Sequence, residues 1–149
     1  SRMMTSLLSN VLYLYFKIKT MEKYYYQQIS EIPLYKCKLG IILSNDTEKV
    51  LKNTQLDRNA IFAHMINGNY KGRRIVYIIL DPLNTFTKMK HGVISHEAIH
   101  AVNVLFYKNG VIPDFENDEP TAYLLEYIVN KVYSFIKQKN LIDKIIWKH

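Results

Sequence analysis

The chain predicts an α+β fold: a small mixed β-sheet followed by two long helices. Three observations carry this. Residues 35–43 alternate apolar and polar, with Tyr35, Cys37, Leu39, Ile41 and Leu43 against Lys36, Lys38 and Gly40. Residues 74–80 form a run rich in β-branched side chains, apolar on both faces, as a central strand requires. Beyond them lie two stretches of helical periodicity, 88–109 and 120–139. At 149 residues and 48% apolar, the chain suits one domain with a sizeable core.

The elements follow in chain order. Residues 4–29 read as mostly helical and partly peripheral, with an apolar segment from Leu7 to Phe16 too short to span a bilayer. Lys17, Ile18 and Lys19 follow it in place of a signal-peptide cleavage site. Ser1 and Arg2 read as a cloning scar, and Met21 as a natural start. Residues 1–20 are therefore set apart as a scar or peripheral helix, and 21–149 as the single domain. The alternation at 35–43 predicts a strand with one buried face. Asn45 and Glu48 form a capping-box pattern ahead of a short helix through Lys52. A strand is expected at 60–66, a turn-forming loop at 67–72 and a central strand at 74–80, ended by Asp81 and Pro82. Gly110 stands where glycine ends a helix, and Pro113 follows. Pro120 opens the second long helix, where its missing N–H has no intrahelical partner to lose. Residues 141–147 add a further helical turn.

Composition excludes several classes. Five Gly and four Pro exclude collagen-like and low-complexity chains. The single Cys37 excludes a disulfide scaffold and a cysteine-based zinc site within one chain. A net charge of +7 permits attraction to anionic surfaces. However, the basic residues are sixteen Lys against four Arg, dispersed along the chain, so no specific nucleic-acid partner is expected.

The chemistry is concentrated at Ser95-His96-Glu97-Ala98-Ile99-His100. This is H-E-x-x-H inside a helix. Two histidines one turn apart project from one face, with Cβ atoms about 6 Å apart, and can share one tetrahedral ion. Imidazole suits Zn²⁺. Glu97, about 100° further round the helix, is placed to reach a water on the metal rather than the metal itself. Chance gives the pattern in roughly one shuffled chain in a hundred, and most such matches miss a helix. The competing reading is a satisfied histidine pair on an ordinary helix.

A third ligand is needed. Asn103 and Phe106 occupy the positions where a metzincin carries Gly and His or Asp, which excludes that class. The expected ligand is Glu119, with Glu116, Asp118 or Glu126 as alternatives. Glu119, Tyr123, Glu126 and Asn130 make one polar stripe on an otherwise apolar helix. Tyr123 is the leading candidate to donate a proton to an oxyanion, ahead of Tyr127, Tyr107 and His91. Asn103 shares the histidine face. His64 and Cys37 read as structural, and Tyr24, Tyr25 and Tyr26 as an aromatic surface patch.

Residues 96–130 resemble the gluzincin type of zinc metallopeptidase, in particular small single-domain members. The run Glu119-Pro120-Thr121-Ala122-Tyr123 is similar to the ligand helix of anti-repressor-cleaving metallopeptidases, and the whole resembles phage-encoded HExxH proteins. The resemblance implies a zincin-like domain whose edge strand holds an extended substrate. It implies peptide-bond hydrolysis at a zinc held by His96, His100 and Glu119, with Glu97 as general base. A peptide or protein substrate and the cytoplasm of a bacterial or phage-infected cell are the expected partner and place. Two other classes remain beside it: a zinc-binding but catalytically silent interaction protein, and a basic nucleic-acid-associated domain.

Overall fold

The computed structural model describes residues 1–20, 22–56, 65–70, 73–84 and 88–146, with side chains at 1–15, 22–56, 74–84 and 88–146. Eight main elements follow in chain order. They are α1 (Arg2–Thr20), β1 (Tyr25–Ile32), β2 (Cys37–Ser44), α2 (Thr47–Thr54), β3 (Met65–Tyr70), β4 (Arg73–Leu80), α3 (His91–Lys108) and α4 (Glu119–Gln138). A 3₁₀ turn at Ile142–Lys144 closes the described chain.

The fold is α+β, as expected, with a four-stranded mixed sheet in the order β1-β2-β4-β3. β1 pairs antiparallel with β2, β2 parallel with β4, and β4 antiparallel with β3. Helices α3 and α4 cover one face. Their Ile94, Ala98, Val102, Ile128 and Val132 bury against Leu39, Ile41, Val76 and Ile78 of the two central strands. On the other face, Val50 of α2 packs with Ile42, Ile75, Tyr77 and Ile79. Each face of the sheet thus has its own apolar cluster, and the one under α3 and α4 fixes the spacing between α3 and the strands beneath it.

Four expectations need correction. Residues 25–29 are strand, not helix. The Tyr-rich segment has high β propensity, and all eight residues of β1 find partners on β2, from Tyr25↔Ser44 to Ile32↔Cys37. β2 is buried on both faces rather than one, because α2 covers the side that Gly40 and Ile42 share. The cap of α2 is Asp46, whose carboxylate accepts from the Lys49 N–H at 3.2 Å. Asn45 instead ties the chain ahead of β1, accepting from the Tyr24 N–H at 2.8 Å and donating to the Glu22 carbonyl at 2.9 Å. The segment 67–70 belongs to β3 rather than to a loop, and Tyr70 pairs with Arg73. Of the strand expected at 60–66, residues 60–64 lie outside the described residues, as do Lys71, Gly72 and Trp147.

The start of α3 is also later than periodicity suggests. Lys90 forms a parallel bridge with Ile146. Ile146 N–H donates to Met89 and His91 N–H donates to Ile146, so residues 89–90 are held extended. The first long helix ends as expected at a left-handed Gly110 (φ 67), and the second ends the same way at Asn140 (φ 58). Val111 N–H returns to the Phe106 carbonyl at 2.9 Å and Leu141 N–H to Ile136 at 3.0 Å. These bonds satisfy carbonyls that the last turn leaves orphaned.

Candidate metal centre

The site is built by the way α3 buries one face. Ile94, Ala98, Ala101, Val102 and Leu105 are inside. Helical geometry then leaves His96, His100, Asn103 and Tyr107 as an exposed row on the opposite side. The imidazoles of His96 and His100 turn towards each other, with Nε2 atoms 3.2 Å apart and rings nearly perpendicular at 74°. Two nitrogens at about 2.05 Å from a tetrahedral zinc are about 3.3 Å apart. The pair therefore has the separation a shared zinc demands. The same distance also fits a direct hydrogen bond in which one ring donates and the other accepts.

Glu97 lies between this exposed row and the core. It is 5% exposed, although its neighbours along the buried face are all apolar. Its Oε1 is 4.0 Å from His96 Nε2. Burying a carboxylate is costly, and here it sits beside the His96 imidazole, just beyond direct hydrogen-bonding reach of the ring nitrogen.

The expected third ligand is placed less simply. Glu119 is exposed in the first turn of α4, and Tyr123, Glu126 and Asn130 of the same stripe are exposed too. Glu116 and Asp118 are exposed in the connection before it. Among the described residues, no group of three His, Cys, Asp or Glu side chains converges as a metal cage. The two helices run antiparallel. His91, at the start of α3, stacks on Tyr133 near the end of α4, and the His91 Nδ1 and Tyr133 hydroxyl are 2.7 Å apart. Counting back from that contact, the level of His96 and His100 on α3 matches roughly residues 124–128 on α4. Glu126 is level with the histidine pair, and Glu119 lies further along towards the C-terminal end of α3.

Tyr123 is 67% exposed on the far flank of α4. With Tyr127, Pro33, Leu34 and Tyr35 it lines a groove of about 330 Å³ beside the β1–β2 turn. The Tyr127 hydroxyl donates to the Glu31 carbonyl at 3.0 Å, towards β1, whereas α3 lies over β4 and β3. The structure does not bring Tyr123 or Tyr127 to the histidines. Tyr107 is exposed at the C-terminal end of the histidine row. His91 is engaged by Tyr133. Cys37 is buried, and burial pushes its thiol above the ordinary range, as expected of an inert thiol. His64 lies outside the described residues.

One polar pair had no signal in spacing or pattern. The Tyr24 hydroxyl donates to Asp81 across the sheet end, 57 residues away in sequence. Burial, reinforced by the neighbouring carboxylate, raises the Tyr24 phenol well above its usual value. Burial likewise raises Asp81, opposed by the hydrogen bond from Tyr24. The tyrosine cluster is thus partly structural rather than a surface patch.

Comparison with known families, characterised proteins and solved structures gives no match. The class to which the chain can be assigned from the structure is a mixed α+β domain with an HExxH helix laid across its sheet.

Proposed function

We propose that the protein is a zinc-dependent hydrolase, and specifically a metallopeptidase. The observation that carries the reading is the 3.2 Å approach of the His96 and His100 Nε2 atoms beside the buried Glu97. His96 and His100 hold the metal. The third position belongs to a carboxylate of α4: Glu119 by its spacing from His100, with Glu126 the residue level with the pair. Zinc bound there supplies Lewis acidity, polarising a carbonyl and lowering the pKa of water. Glu97 takes a proton from the attacking water and returns it to the leaving amine. Its burial holds the carboxylate in place beside His96.

The position of α3 supports a peptide as substrate. It packs against β4 and against the edge strand β3, whose backbone is antiparallel to β4. An extended peptide laid beside such an edge would satisfy its amides by strand addition.

The test combines metal analysis with turnover. Protein purified without chelator and supplied with zinc should hold about one zinc per chain, and His96→Ala or His100→Ala should lose most of it. Glu97→Gln should keep zinc and fold while cleavage of a broad peptide library falls roughly 100-fold or more. Glu119→Ala and Glu126→Ala identify the third ligand by which one weakens zinc. A chain that takes up no zinc at neutral pH contradicts the whole reading. Zinc binding with equal cleavage by wild type and Glu97→Gln contradicts the mechanism alone.

A further inference from the structure

Among the described residues, α1 is set off from the sheet and from the other helices. It is a 19-residue helix, and among the described residues it has no extended packing against any other element. Met4, Leu7, Leu8, Val11 and Leu12 are each more than half exposed. At helical spacing these side chains fall on one face, while Thr5, Ser6, Ser9 and Asn10 fall on the other. A solitary helix of about this length is marginal in water, and its apolar face is of the kind that marks an interaction site.

The charge pattern selects the occupant. The helix sequence carries Arg2, Lys17 and Lys19 and no Asp or Glu. A second copy of the same helix would bring cations against cations with no carboxylate to offset them, in either relative direction. An anionic lipid surface offers both an apolar layer for the leucine face and negative headgroups for the basic ends. The helix is about 28 Å long at 1.5 Å per residue. No helix among the described residues is long and apolar enough to cross a membrane. The fitting geometry is a helix lying in the plane of the interface.

We infer that α1 is an in-plane anchor that attaches the domain to anionic membrane surfaces. The inference is independent of the metal site.

The experiment uses the full chain and sedimentation with vesicles of phosphatidylcholine and phosphatidylglycerol at about 3:1, beside vesicles of phosphatidylcholine alone. Binding to the anionic vesicles should exceed binding to the neutral ones by roughly tenfold and fall steeply in about 0.5 M salt. Leu8→Glu with Leu12→Glu should reduce it by tenfold or more. Lys17→Gln with Lys19→Gln should reduce it several-fold. Neither pair of changes should shift the thermal midpoint of the domain, because among the described residues α1 has no extended packing on it. Absence of binding, binding equal on both vesicles, or binding unchanged by the Leu8/Leu12 variant overturns the inference. A concentration-dependent dimer that the same variant dissolves, without vesicle binding, assigns the face to a second copy and equally overturns it.

Discussion

Position 40 requires glycine because the ring of Tyr77 fills the space above it. The two residues are register partners on the parallel strands β2 and β4. A Cβ at position 40 would lie 2.5 Å from Tyr77 Cδ1 and 2.7 Å from Cε1. Tyr77 is itself 1% exposed and packed under α2, so its ring has little room to withdraw. Gly40→Ala should therefore cost roughly 1–3 kcal/mol through overpacking. Urea unfolding at constant m-value measures it. A loss below about 0.5 kcal/mol would mean that the ring yields freely. In the sequence, Gly40 passes for one of the polar-side positions of an alternating strand, in line with Lys36 and Lys38. The close approach that requires it exists only once β4 is laid alongside. His96, Glu97 and His100 are the reverse case. Their relation is contained within one helical turn, so spacing alone placed them.

At the scale of elements, α3 and α4 were the most legible parts of the chain. Long apolar stripes, Pro120 at a helix start and Gly110 at a helix end are local signals with local causes. Gly110 adopts φ 67, with the returning Val111 and Gly110 N–H groups closing the end of α3 on Phe106 and Tyr107. Gly110→Ala should cost about 1 kcal/mol, because an alanine pays the left-handed penalty that glycine escapes. Nothing within 4 Å would obstruct the added methyl, so the loss isolates backbone strain. Chemical denaturation reads it, and an unchanged midpoint would contradict the strain. The start of α3 was less legible. Residues 88–90 suit a helix by composition, but the bridge from Lys90 to Ile146 holds residues 89–90 extended, and that partner arrives more than fifty residues later. β1 departs from its local sequence for the same reason. Its tyrosines and glutamines have no strong period, and pairing with β2 decides its state.

At the scale of the whole molecule, the core and the candidate metal centre are separate. His96 and His100 are exposed, while the core runs between the sheet and the inner faces of α3 and α4. Zinc should therefore add to stability without being needed for the fold. At about a hundred times its dissociation constant, a ligand of the native state contributes ~2.7 kcal/mol, or about 5–10 °C in the midpoint of a chain this size. Chelation should lower the midpoint by that amount and leave a cooperative transition. His96→Ala should abolish the increment. Thermal melts with and without chelator check both. Collapse of the transition on chelation would make the metal structural rather than catalytic in kind.

The sequence by itself determined the α+β class, the two long helices and the HExxH triplet. Each rests on a period, a cap or a spacing that lies within a few residues. Tertiary structure alone decided the burial of both faces of β2, the strand at 25–32, the contact of Tyr24 with Asp81 and the levels of Glu119 and Glu126 against the histidines. These depend on which distant segments meet. The antiparallel lie of α4 on α3, pinned by His91 against Tyr133, sets the height of every α4 carboxylate beside the pair. A count of 19 residues from His100 makes Glu119 a candidate but does not fix that height, because the path of the connection depends on how the two helices pack.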